Sequence, residues 1–352
     1  MTLQEVLSAI HPADAAARQA ALDHWSTVAH PLHSLGLLED AVVRIAAVQG
    51  TADVRIDKRV VVAMCADNGV VAEGVTQTGQ EITAMVCEGM NRGNSSVCCM
   101  ARVADARVIP VDIGVAVPVE GENILQRNIR RGTGNLAVES AMTREECERA
   151  ILTGVEIVRD LAQEGCKLIV TGEMGIGNTT TSAAVTAVLL GQDVEAVTGR
   201  GAGLSSEGLR RKVDAIRRGI AVNRPDPADP VDVLSKVGGL DIAGLTGVYL
   251  GGALYHVPVL IDGLISSVAA LAAYRLCPAA RDAMIATHAS NEPAGQLVLR
   301  ALELEPVVYG HLCLGEGTGA ITLVPLLDMA LALYREMSSF QEFNMDAYVP
   351  LT

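Results

Sequence analysis

The sequence predicts an α/β protein, a parallel sheet flanked by helices, on two observations. Half of the 352 residues are hydrophobic while only 3% are aromatic. The interior must therefore be built from Ala, Val, Ile, Leu and Met, which suits Val-rich strands under Ala-rich helices better than an aromatic-rich sandwich. In addition, residues 167–170 read as a buried strand, 171–180 as a glycine-rich loop, and the Ala/Val-rich run to Leu190 as a helix. Strand, loop, helix is the repeating unit of a parallel sheet, whose ligands collect beyond the carboxyl ends of the strands.

The elements follow in order. Leu3, Leu7 and Ile10 share one helical face, and 15–22 continue in helix-forming residues. The continuous apolar run 60–65 is a buried strand entering Ala66-Asp67-Asn68-Gly69; 81–104 has helical spacing, and 107–113 is a second strand ending at Gly114. Thr143 with Glu146 three residues on is a capping-box start for a helix to about Glu164. After Leu190 the alternation continues with a helix over 206–221, a Pro-rich break at 225–230, a helix over 240–254 and a strand over 257–261. A last strand, 307–314, leads to Glu316, and 320–336 returns as helix. Without a repeat or a composition boundary, a smaller helical domain is expected from the chain ends, 1–50 with 335–352, leaving 51–334 as the large domain.

The net charge of −14 disfavours nucleic acid and anionic membranes as partners. Met1–Ala15 carries Glu5 and Asp14 and lacks a basic start followed by an apolar run, so no secretion signal is expected, and the Ala-rich stretch 265–273 is too short for a membrane span. The expected location is the cytoplasm. Eight cysteines are scattered without a CxxC pair, which fits buried small hydrophobes in a reducing compartment and gives no reason to expect a metal.

Five glycine-punctuated segments could carry chemistry. In Gly315-Glu316-Gly317-Thr318-Gly319 a single carboxylate stands among glycines that let a ligand approach the backbone. A carboxylate in a pocket that dries on binding becomes a better proton acceptor; the alternative is a solvated turn glutamate. The loop 172–177, opening a helix at Asn178 and Thr179, has the free amides of an anion site. It lacks a Walker lysine and the GxGxxG spacing, and Glu173 would repel a pyrophosphate, so a single phosphate fits better, beside the alternative of an ordinary helix start. Gly199–Gly203 precedes Arg210, Arg211 and Lys212, basic residues able to close on a phosphate. The long loop 67–81 has the character of a binding connection, and 287–295 offers hydroxyl, amide and imidazole groups. His288, like His256 and His311, reads as a structural histidine rather than a base.

Taken together, Asp67-Asn68-Gly69-Val70 through Glu81, Thr171-Gly172-Glu173-Met174-Gly175-Ile176-Gly177-Asn178-Thr179-Thr180, Gly199-Arg200-Gly201, Ser290-Asn291-Glu292-Pro293 and Leu314-Gly315-Glu316-Gly317-Thr318-Gly319 resemble the nicotinate-nucleotide:dimethylbenzimidazole phosphoribosyltransferase family over most of the chain. The resemblance implies a Rossmann-like large domain, a small helical domain from both termini, a homodimer, and neither metal nor cofactor. It implies small-molecule substrates, nicotinate mononucleotide and an aromatic base, with Glu316 as the base and Glu173 as a second catalytic carboxylate near the ribose. It places Gly175, Gly177, Thr179, Gly201, Lys212 and Ser290 around the nucleotide, and Thr78, Gln80 and Met85 around the acceptor. Where the family has an aromatic-proline pair this chain has Thr78-Gly79, and Asn68 stands where a histidine is common. The missing ring weakens stacking and keeps purine or phenolic acceptors open. A nucleotide-dependent oxidoreductase would need a dinucleotide fingerprint that the sequence lacks, and a non-catalytic nucleotide-binding protein would bind without turnover.

Overall fold

A computed structural model describes residues 1–348. The strands are β1 (Arg59–Ala66), β2 (Ala106–Gly114), β3 (Leu125–Gln126), β4 (Leu168–Met174), β5 (Val259–Ile261) and β6 (Met284–Ala286). All pair in parallel, in the order β3-β2-β1-β4-β5-β6. Strand order turns back on itself between β1 and β4, so a crevice opens beyond their carboxyl ends.

β1 shows how the sequence builds this sheet. Val60, Val62 and Met64 enter one apolar cluster while Val61, Ala63 and Cys65 enter the other, so the strand is apolar throughout Val60–Ala66 because both faces are covered. On one face the helices Arg144–Gln163 and Leu240–Leu254 approach through Gly154 and Gly247. The first opens with the expected reciprocal cap: Thr143 Oγ1 accepts from Glu146 N–H at 3.1 Å and Glu146 Oε2 accepts from Thr143 N–H at 2.9 Å.

On the other face lie helices from both chain ends, Ala15–Thr27, Leu37–Gln49 and Leu323–Glu336. Trp25 and Tyr334 stack edge to face at 4.9 Å, and Ala29 N–H donates to the Ser338 carbonyl at 3.0 Å. Their apolar side chains continue into the sheet's own cluster. Residues 349–352 of the expected small domain lie outside the described residues. The stretch Thr318–Glu336 is long and apolar enough to cross a membrane, but Leu323, Val324, Leu327, Ala330 and Leu331 are buried in this core.

Several expectations are corrected. The single helix over 81–104 is two, Glu81–Asn91 and Ser96–Val103, separated at Gly93 and restarted by the Ser95 cap. β4 runs on through Thr171-Gly172-Glu173-Met174, read above as loop, because each finds a register partner on β1 (Val62, Ala63, Met64 and Cys65). The turn before the next helix therefore shrinks to 175–177. The apolar run 307–314 is no strand: only Val308 bridges, to His288, and His311, with φ +53°, together with Cys313 and Leu314 is exposed. β6, only three residues long, was missed.

Candidate functional site

The ends of β4, β5 and β6 open into one cavity of about 220 Å³, which residues 312–316, Gly201 and Ala202 also line. Glu173, the penultimate residue of β4, points into it and is only 7% exposed. Asn178, first residue of the helix Asn178–Leu190, donates from one amide nitrogen to Glu173 Oε2 and to Asp241 Oδ2, the latter at 3.0 Å. Burial raises Glu173 to about 8, the negative charges of Asp241 and Asp262 add to this, and the Asn178 hydrogen bond opposes it. Asp241 is itself raised to about 6 by burial. Glu173 thus holds its proton at neutral pH.

Glu316 reaches the cavity differently. Its backbone is left-handed (φ +61°) between Gly315 and Gly317. Its Oε2 accepts from Val97 N–H at 3.1 Å, at the amino end of the helix Ser96–Val103, where backbone amides favour a negative charge. The loop is fixed from beneath by Asp262, the residue after β5, which accepts from Gly317 N–H at 3.1 Å and from Ala320 N–H at 2.8 Å. Burial pushes Asp262 up and His288 down, while their mutual attraction opposes both shifts.

The cavity's other end is rich in donors. Thr179, Gly201 and Ser290 line it, while Gly175, also in the cavity wall, lies close beside Asp241. Lys212 is fully buried behind Thr179, donating to its Oγ1 at 2.8 Å and to the Gly199 carbonyl at 3.2 Å. This leaves the threonine's own hydroxyl hydrogen available to a ligand. Burial lowers Lys212 to about 8, with Glu292 opposing.

Of the residues singled out in the sequence, Glu173, Glu316, Gly175, Thr179, Gly201 and Ser290 share this cavity. Gly177, Lys212, Thr78, Gln80 and Met85 do not line it. Gly177 caps the helix from outside, Thr78 is exposed, and Met85 is 60% exposed on its helix. Gln80 is linked indirectly: it donates to the Asn68 carbonyl at 3.2 Å, and Asn68 donates to the carbonyl of Ile176, a cavity residue, at 3.4 Å. Sequence reasoning missed Asp262 and set His288 aside, yet both line the cavity. For Asp262 the signal was its place directly after the strand read at 257–261, whereas His288 stands two residues beyond β6, a strand the sequence did not reveal.

The sequence model of the family described as phosphoribosyltransferase matches residues 10–345. A nicotinate-nucleotide–dimethylbenzimidazole phosphoribosyltransferase of Ruminiclostridium cellulolyticum is 41% identical over 351 residues, covering 100% of both chains. The chain belongs to this phosphoribosyltransferase family. A second relative of the same name, from Acetivibrio thermocellus, is 43% identical over 324 residues, 92% of each chain. The crystal structure of CobT from Thermus thermophilus superposes with a TM-score of 0.89 at 40% identity, covering 95% of this chain and 100% of that one. In this phosphoribosyltransferase the cavity therefore has two chemically distinct parts, buried carboxylates on one side and hydroxyl and amide donors backed by a lysine on the other.

Proposed function

We propose that the chain moves ribose 5-phosphate from nicotinate mononucleotide to 5,6-dimethylbenzimidazole or a related aromatic base, giving α-ribazole 5′-phosphate and nicotinate. The observation that carries this reading is the convergence of two glutamates and a donor-rich end on one cavity in a chain of this family.

In the proposed reaction an imidazole-type nitrogen of the acceptor attacks the anomeric carbon from the face opposite nicotinate, which leaves with the electron pair of its glycosidic bond. Positive charge develops across the acceptor ring, its other N–H becomes acidic, and Glu316 takes that proton. Glu173 serves the ribose. Protonated in most molecules at neutral pH, it acts in the fraction that has already lost its proton to solvent, where the carboxylate stabilises the oxocarbenium-like sugar. The phosphate lies against Thr179, Gly201, Ser290 and the amino end of the helix Asn178–Leu190, with the Lys212 charge behind them. Thr78, Gln80 and Met85 remain the proposed acceptor side, the loop 78–80 and the helix start that carries Met85 closing over the base.

We further propose a homodimer, supported by the exposed Met329, Phe343, Met345 and Tyr348 on the C-terminal segment. Light scattering tests it. The cytoplasm is the proposed location, in keeping with eight free cysteines, and 1–50 with 335–352 is the proposed small domain. To test the function, nicotinate mononucleotide is mixed with a panel of benzimidazoles, purines and phenols. The reading requires a ribazole phosphate from a benzimidazole; no transfer to any acceptor contradicts it.

A further inference from the structure

One side chain ties the two proposed subsites together. The segment 69–80, which leads into the acceptor residues, is fastened at its root to the helix Ser206–Asn223. Arg218 pairs with Glu73 at 2.6 Å, Arg211 Nε donates to the Gly74 carbonyl at 3.3 Å, and Val75 is buried with Val70, Leu136, Ala137 and Ala215. Beyond that root one fastening reaches across. The Gln77 amide nitrogen donates to the carbonyl of Ala202, at 3.2 Å, and to that of Gly203. Ala202 and its neighbour Gly201 line the cavity, and Gly201 lies beside Thr179 and Lys212. On the other side of Gln77 the chain passes straight into Thr78, Gly79 and Gln80, and Gln80 bonds to Asn68.

We propose that Gln77 is a positioning residue that couples the two substrates: when Gly199–Gly203 settles on the mononucleotide phosphate, the Gln77 amide carries 78–80 over the acceptor base. This rests on the phosphoribosyltransferase reading and adds an order to it. The base binds weakly to the free enzyme and tightly to the enzyme already holding nucleotide. Coupling of this kind is reciprocal and typically amounts to about 5- to 150-fold in affinity. Two amide donors meet two carbonyls here, so the glutamate analogue, equal in shape but acceptor-only, cannot replace it.

The experiment compares the Kd of dimethylbenzimidazole for the full-length enzyme without nucleotide, by calorimetry, with its KM at saturating nicotinate mononucleotide. It is run on the wild type, Gln77→Ala and Gln77→Glu. The expected wild-type ratio is about tenfold. In both variants it falls towards one, because the KM for base rises while the Kd without nucleotide stays within about twofold. A merely structural or direct-contact role would weaken base binding equally in both measurements, and that result overturns the proposal, as does a wild-type ratio of one or a ratio unchanged in the variants. The reading beneath it fails separately, if the wild-type enzyme forms no ribazole phosphate.

Discussion

The carbonyl of Glu316 rests on Gly172. A β-carbon built at Gly172 would stand 2.3 Å from that oxygen, so the loop carrying one cavity carboxylate lies directly on the strand residue preceding the other, Glu173. The two glutamates are thereby fixed relative to one another through backbone packing, without a side-chain bond between them. In Gly172→Ala the added methyl must push the Glu316 segment off β4, at a cost of about 1–3 kcal/mol. The variant should lose stability in urea and, with Glu316 displaced, at least about tenfold in kcat/KM, since sub-ångström errors in positioning are costly in catalysis.

Glu173 makes activity and stability run in opposite directions with pH. Its folded-state pKa of about 8 lies above the ordinary 4.5, so between these values the folded protein holds a proton that the unfolded chain has lost. Stability from this group is therefore complete below about 4.5 and declines as pH rises towards 8. Glu173→Gln should flatten that decline in denaturant midpoints while reducing kcat about a hundredfold. It should also remove the limb of the wild-type rate profile that rises towards pH 8.

Lys212 gives the opposite limb. With its pKa lowered to about 8 by burial, the ammonium is progressively lost above that pH. The KM for mononucleotide should rise above pH 8 in the wild type, and in Lys212→Met it should be raised throughout and independent of pH in this range. Thr179→Val, which removes the hydroxyl that Lys212 holds at 2.8 Å, should reproduce most of the effect. Initial rates at varied nucleotide concentration measure both.

A purely structural prediction concerns the helix pair behind the sheet. A β-carbon at Gly247 would fall 1.8 Å from the Ile151 carbonyl, and one at Gly154 would fall 2.1 Å from that of Gly244. Either alanine substitution forces two backbones apart, and Gly247→Ala should cost about 3 kcal/mol or more in urea unfolding.

What could be read in the sequence was whatever local chemistry determines. The Thr143–Glu146 cap is a local exchange of hydrogen bonds, and β1 announces itself because a strand covered on both faces is apolar from Val60 to Ala66. What could not be read depends on partners distant in sequence. Thr171–Met174 look like loop residues until β1 supplies a ladder, whereas 307–314 look like a strand but extend no ladder beyond the single Val308 bridge. Asp262 is an unremarkable acid after a short strand, and its hold on the Glu316 loop appears only when Gly317 and Ala320 fold back onto it. The site's glutamates were visible as charges among glycines. Their different surroundings, one buried with Asn178 and the other at a helix amino end, were not.

The most direct test of the account is a single-turnover measurement of α-ribazole phosphate formation by Glu316→Ala and Glu316→Gln, with both substrates saturating. Loss of the proton acceptor should slow the chemical step by about 10²- to 10⁴-fold, with the Kd for mononucleotide little changed. Rates within a few-fold of wild type in both variants would show that Glu316 does not take the proton.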